Sequence, residues 1–224
     1  MYISTATDFD VSTTPVSVLA DCRFKSGNTR THRLKAAQNL FREGDEVCHV
    51  YEVISGVLRV TKVLEDGRRQ VIAFGYPGDI IGFPQDGRYH TECDAISDAE
   101  VAVHSVKDLE SGDHSPELHH RLVQAALKEI SAMQDHFMML GRKSATEKVA
   151  SFLSVLMERT GNPLGAYIHF EFPMTRADIA DFLGLTVETV SRTMTTLRKQ
   201  KLIALENAKS VVVLNEDALY DMAA

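Results

Sequence analysis

The residues with the most chemistry to offer lie in one stretch, MTRADIADFLGLTVETVSRTMTTLRKQKLIAL, residues 174–205. Glu188, Thr189, Ser191, Arg192 and Thr195 place charge and hydroxyl groups on one side of a run. Its other side, Val190, Met194 and Leu197, is apolar at helical spacing. A helix of this kind packs by one face and presents hydrogen-bonding groups from the other. Upstream, Thr175 and Asp178 make a capping box for a shorter helix with Ile179, Ala180 and Leu183 on its inner face. Gly184 supplies the tight bend, and Thr186 caps a second helix from Val187 to about Lys199. Two short helices joined through a glycine form a helix-turn-helix, whose second helix enters the major groove by its N-terminal residues. A merely solvated face accounts for the polar residues by themselves, but not for the caps, the glycine and the core positions together.

Other candidate chemistry is weaker. Nine histidines invite a metal or haem reading. His114, His119 and His120 gather near the start of one helix, but His119 and His120 are adjacent and cannot share a face, and His-x-x-x-His never occurs. His49, His90 and His104 do not make the clustered ligand set that a cupin-like β-barrel enzyme needs, so no metal, cofactor or enzymatic activity is expected. Cys22, Cys48 and Cys93 are far apart and odd in number, which points to reduced, inert thiols without a disulfide framework. The start MYISTATDFDVSTTP has no basic segment followed by an apolar block, and no run of about 18 apolar residues occurs. A cytoplasmic protein with no membrane contact is the expectation.

The elements that position the helix-turn-helix can be read along the chain. Residues 1–30 are Ser/Thr-rich and aperiodic, an N-terminal arm. Residues 31–114 break into short strands: Val47 to Ile54, then Val57 to Val63, a hairpin turn at Asp66-Gly67, a return strand through Val71, Ile72 and Phe74, and a closing strand at Val101–Val103. That pattern predicts a β-sandwich or barrel. From Pro116 to Arg142, Leu118, Leu122, Ala126, Ile130, Met133, Phe137 and Leu140 form one apolar stripe on a helix of roughly 40 Å. A helix this long exceeds what an 80-residue β unit covers, so residues 115–142 are expected to be a two-stranded dimer seam. Ser144 and Glu147 open the next helix with a capping box, and Val149, Phe152, Leu153, Leu156 and Met157 are its buried face. Residues 143–224 form the last unit, where Leu202–Leu205 and Val211–Leu214 flank a polar turn and make a wing after the helix-turn-helix.

Charge supports this division. The whole chain carries a formal −7, which argues against nucleic acid, yet residues 142–201 hold nine basic groups against six acids. The segment with the helix-turn-helix is therefore +3, and the rest is −10.

Together with the motifs GDIIGF (78–83) and LGLTVETVSR (183–192), this order of elements resembles the Crp/Fnr family of bacterial transcription regulators over about residues 30–215. DGRRQV (66–71), YPGDIIGF and the Glu-x-x-Ser-Arg helix are most similar to the FixK type. The resemblance implies an α+β fold: an N-terminal cyclic-nucleotide-binding-like β-roll (jelly roll), a long dimerisation helix and a C-terminal winged helix-turn-helix. It also implies a homodimer on a palindromic operator with half-sites ~34 Å apart, acting as an activator that contacts RNA polymerase. Carried over by position, the base-reading residues are Glu188, Ser191 and Arg192: the arginine forks onto guanine O6 and N7, and the glutamate accepts from cytosine N4. Val187 stands where the cyclic-AMP-responsive branch has an arginine, which with Ser191 favours TTGAT-N4-ATCAA. Thr175, Thr186 and Arg198 are implied phosphate contacts.

Each effector of the family can be checked against residues. Cyclic-nucleotide binders of this fold hold ribose and phosphate with a Gly-Glu turn and an Arg-Ser pair. Here the turn runs Gly82-Phe83-Pro84 and the pair's place is taken by Tyr89-His90, so neither carboxylate nor guanidinium is available. An iron–sulfur cluster of the Fnr type needs four cysteines, and the chain has three. A regulator without these effectors is the expectation. The alternative is a regulator of the same fold whose roll binds haem, a redox group or another small molecule that gates DNA binding.

Overall fold

The computed structural model describes residues 30–84, 86–113, 115–207 and 209–224. The N-terminal arm (residues 1–29), with Cys22, and His114 lie outside them.

Two four-stranded antiparallel sheets build the N-terminal roll. The first orders β1 (Arg30–Leu34), β8 (Ala99–Ser105), β3 (His49–Ser55) and β6 (Ile80–Ile81). The second orders β2 (Asn39–Phe41), β7 (Glu92–Ala95), β4 (Leu58–Val63) and β5 (Arg69–Gly75). Alternate residues of both turn inward, and Leu34, Phe41, Tyr51, Val53, Leu58, Cys93 and Val101 form one buried core. The β4–β5 hairpin is the one expected at Asp66-Gly67: Val63 faces Arg69, and Gly67 turns at φ +81° where a side chain would strain the backbone.

A short helix, α1 (Val106–Glu110), which the sequence pattern did not announce, leads to α2 (Pro116–Arg142). Ser115 caps α2 by accepting from the Leu118 N–H, and Pro116 occupies the first turn, where its missing N–H costs nothing. After α2 come α3 (Ala145–Thr160), the hairpin β9 (Asn162–Leu164) and β10 (Tyr167–Glu171), α4 (Arg176–Leu183), α5 (Val187–Lys199), the wing strands β11 (Ile203–Asn207) and β12 (Ser210–Val213), and a final helix α6 (Glu216–Ala223). The expected Ser144–Glu147 capping box is formed, and Val149, Phe152, Leu153, Leu156 and Met157 are buried. The third sheet, β11-β12-β10-β9, closes the reading head. Its core is continuous with the roll, because Val71, Phe74 and Tyr76 join the same cluster as Phe152, Phe172, Ile179, Leu183 and Leu197.

The stripe on α2 divides between two tasks. Leu122 is 0% exposed and packs with Val50 and Ile80 of the roll, and Leu118 lies against the same cluster. Leu122 thus has no surface left for a second chain, which corrects its place in the expected seam: one helical period was serving two different neighbours. Ala126 and Leu140 are half-buried. Ile130, Met133 and Phe137 are exposed, Phe137 to 74%, and Leu127 and Met138 widen the same apolar strip.

Candidate nucleic-acid interface

The helix-turn-helix is built by local rules. Thr175 Oγ1 accepts from the Asp178 N–H at 3.1 Å, and the Asp178 carboxylate accepts from the Thr175 N–H at 2.9 Å, closing both ends of the capping box on α4. Ile179, Ala180 and Leu183 are buried beneath. Gly184 ends α4 in the left-handed region at φ +61°, and the Leu185 N–H returns to the Ala180 carbonyl at 3.0 Å. Thr186 then caps α5, accepting from the Thr189 N–H at 3.1 Å.

On α5, Val190, Met194 and Leu197 are buried, as their spacing predicts, and Thr193 is buried beside them. The opposite face carries Val187, Glu188, Ser191 and Arg192, all exposed. Arg192 Nη1 stands 3.9 Å from Glu188 Oε1 one turn earlier, with the two side chains 71% and 79% exposed. A pair this open is held weakly, so both groups are free to exchange each other for base edges. These four expected reading positions are brought together on the N-terminal half of one helix.

The expected phosphate contacts are more scattered. Thr175 and Thr186 are exposed at the starts of α4 and α5, where backbone N–H groups and the helix dipole favour an anion. Arg198 is exposed near the end of α5. One residue went unnoticed in the sequence: Arg176, in the first turn of α4, lies over the Phe172 ring at 5.1 Å. Its Nη1 has no hydrogen-bond partner, and burial lowers its pKa without an acid beside it. Its position directly after the Thr175 cap was the only available signal.

The roll offers little to a charged effector at the positions compared above. Tyr89 is buried, stacks on Phe41 with ring centres 4.0 Å apart, and donates its hydroxyl to the His49 carbonyl at 2.6 Å. Burial, with Tyr51 beside it, pushes its phenol pKa upward, so it stays neutral. A Cβ at Gly82 would approach Tyr89, Phe41 and Tyr51 to 3.2–3.3 Å, which shows how closely these rings fill the space. His104 Nε2 meets Glu52 at 3.1 Å and His119 Nδ1 meets the Asp108 carbonyl at 3.2 Å. Among the described residues no three His, Cys, Asp or Glu side chains gather as a metal site. Cys93 is buried and its thiol is pushed well above the ordinary value, which makes it inert.

A roll of this type, a long helix with an exposed apolar strip and a winged reading head define a DNA-binding transcription regulator. A cyclic nucleotide-binding domain matches residues 31–111, and a Crp-like helix-turn-helix domain matches residues 147–222. The nitrogen fixation regulation protein FixK of Bradyrhizobium diazoefficiens is 40% identical over 183 residues, 81% of this chain and 77% of that protein. The transcriptional activatory protein AadR of Rhodopseudomonas palustris is 42% identical over 167 residues, 74% and 70% of the two chains. The structure of FixK2 from Bradyrhizobium japonicum matches with a TM-score of 0.79 at 31% identity, covering 88% of this chain and 98% of that one. The chain belongs to the Crp/Fnr family of transcription regulators and is FixK-like within it. That family is one of regulators rather than enzymes, and no helix among the described residues is long and apolar enough to cross a membrane.

Proposed function

We propose that the protein is a homodimeric transcription activator that reads a TTGAT-N4-ATCAA palindrome with Glu188, Ser191 and Arg192 and contacts RNA polymerase. The observation that carries this reading is the two-faced α5: a buried Val190–Met194–Leu197 side and an exposed Val187–Glu188–Ser191–Arg192 side. Thr175, Arg176, Thr186 and Arg198 hold the phosphates on either side. Two copies pair through Ile130, Met133 and Phe137 of α2, whose exposure in a single chain leaves an apolar strip for a partner to cover. The polymerase is met by loops of the roll, with 65–69 and 85–90 as the candidate stretches, residue 85 lying outside the described residues. Neither cyclic AMP nor an iron–sulfur cluster is needed for binding; the ring-filled surroundings of Tyr89 support the first part and the chain's three cysteines the second.

The test is a gel shift of purified protein on that palindrome and on a scrambled duplex, with and without cyclic AMP, in air and under reductant. Tight binding to the palindrome in every condition is the expected result. Equal affinity for the scrambled duplex would remove the sequence assignment, and a requirement for cyclic AMP would remove effector independence.

A further inference from the structure

The DGRRQV motif takes no part in reading DNA, yet its side chains reach the reading head. Arg69 Nη2 donates to Asp178 Oδ1 and to Asp181 Oδ2, each at 2.7 Å, and its Nε donates to Asp181 Oδ2 at 2.9 Å. Gln70 Nε2 donates to the Asp181 backbone carbonyl. On the neighbouring strand, Arg59 holds Asp94 of β7 through Nε at 3.0 Å and Nη2 at 2.7 Å, and its Nη1 also donates to Asp178 Oδ1.

Asp178 is the centre of this arrangement. It is 3% exposed, and its two oxygens have divided duties. Oδ2 accepts from the backbone N–H and the hydroxyl of Thr175, at 2.9 and 2.7 Å, and so completes the start of α4. Oδ1 accepts from two arginines of the roll. A buried carboxylate left without its cations is strongly unfavourable, so α4 cannot tilt away from the roll without separating charges that have little water to replace them. A second tie, Arg159 of α3 to Asp79 at 2.5 Å, and the shared apolar core at Phe74 reinforce the same orientation. Because α4 and α5 pack on each other across Gly184, the angle of α4 sets the angle of α5.

We propose that Asp178 is a positioning residue for operator recognition, and that Arg59, Arg69 and Gln70 form the socket that holds the reading head at one angle. In a symmetric dimer two heads held this way accept one half-site spacing. Adding a base pair between half-sites rotates one relative to the other by about a tenth of a turn. A rigid socket opposes that rotation, and a loosened one yields to it. This inference rests on the palindrome reading above.

The experiment measures affinities of the full-length protein for TTGAT-Nx-ATCAA duplexes with spacers of three, four and five base pairs, and for a random duplex. Wild type, Arg69→Gln and Arg59→Gln/Arg69→Gln are compared, with the dimer checked by sedimentation and the fold by thermal melting. Arg69→Gln keeps Arg59 on Asp178 and so guards against a double variant that fails to fold. Wild type is expected to prefer one spacer by about 10-fold or more, within the range of coupling between linked sites. The variants are expected to bind all three spacers within about 3-fold of one another while keeping their affinity for random DNA, since a head no longer held by the coupled contacts follows the DNA. Variants that retain the full spacer preference overturn the socket. So does a uniform loss on every duplex accompanied by a lower melting temperature, which would mark the arginines as fold-stabilising only. A wild type that treats all palindromes as random DNA removes the operator reading itself, and the socket with it.

Discussion

Replacing Arg192 by alanine tests the reading face most directly. Its side chain is 71% exposed and faces Glu188 at 3.9 Å, so the free protein loses little packing and only a weak ion pair. Stability should therefore change by no more than about 0.5 kcal/mol, as for most surface sites. In the proposed reading the same side chain forks onto a guanine, and a good bidentate pair discriminates by about 1–3 kcal/mol, roughly 5- to 150-fold in affinity. The assay is fluorescence anisotropy on the palindrome, on a palindrome with the guanine of each half-site replaced, and on a random duplex, across a range of salt. Arg192→Ala should lose affinity on the first and match wild type on the second. It should lose little on random DNA, and its salt slope should stay near the wild-type value because phosphate contacts are untouched. Equal losses on palindrome and random DNA, or a slope reduced by about one, would move Arg192 from bases to phosphates and refute the reasoning.

Five further outcomes follow from the structure. Val187→Arg should add a guanine preference at one more base pair per half-site, by about 1–3 kcal/mol, measured on a panel of single-base operator variants. Met133→Glu/Phe137→Glu should sediment as a folded monomer with weak operator binding, whereas Leu122→Ala should lose about 2–5 kcal/mol of folding stability with the dimer intact, because that side chain is buried between α2 and the roll against Val50 and Ile80. Gly184→Ala should cost about 1–2 kcal/mol in denaturant melts from its left-handed backbone, and no more than that, since an added Cβ meets only Leu140 Cδ2 at an ordinary 3.6 Å. Burial works to raise the Asp178 pKa, but the Thr175 hydrogen bonds and the Arg59 guanidinium outweigh it and hold the carboxyl below its ordinary 3.8. The stability it supplies is complete above 3.8 and is lost as pH falls through the lower folded value, so Asp178→Asn should flatten the acid limb of a stability–pH curve.

How far the sequence could be read depended on how far apart the interacting residues lie. The capping boxes at Ser144–Glu147 and Thr175–Asp178, the turn at Gly184 and the hairpin at Asp66-Gly67 are each written within four residues, and all form as read. The inner face of α5 was legible because a helix repeats its buried positions every three to four residues. The α2 stripe exposed the limit of that signal: a period tells that a face is covered, not by what, and Leu122 meets the roll while Phe137 meets solvent. The arginines of DGRRQV show the same limit more sharply. Their turn was clear from the glycine, but Arg69 finds Asp181 across 112 positions, and nothing local marks that pairing.

The contacts made by Arg59 and Arg69 also change how the charge of the reading head should be counted. The +3 of residues 142–201 includes Asp178 and Asp181 among its six acids. Both are turned toward the roll and met there by arginines from outside the segment. Two of the acids that reduce the tally are thus engaged by roll arginines, although Arg59 is shared with Asp94 and the cluster of two arginines and three aspartates keeps a formal −1. Phosphate attraction depends on exposed cations, and Arg192, Arg198, Lys199 and Lys201 of this segment are all exposed. In the proposed reading the roll serves DNA binding without touching DNA, since its arginines hold the orientation of the head.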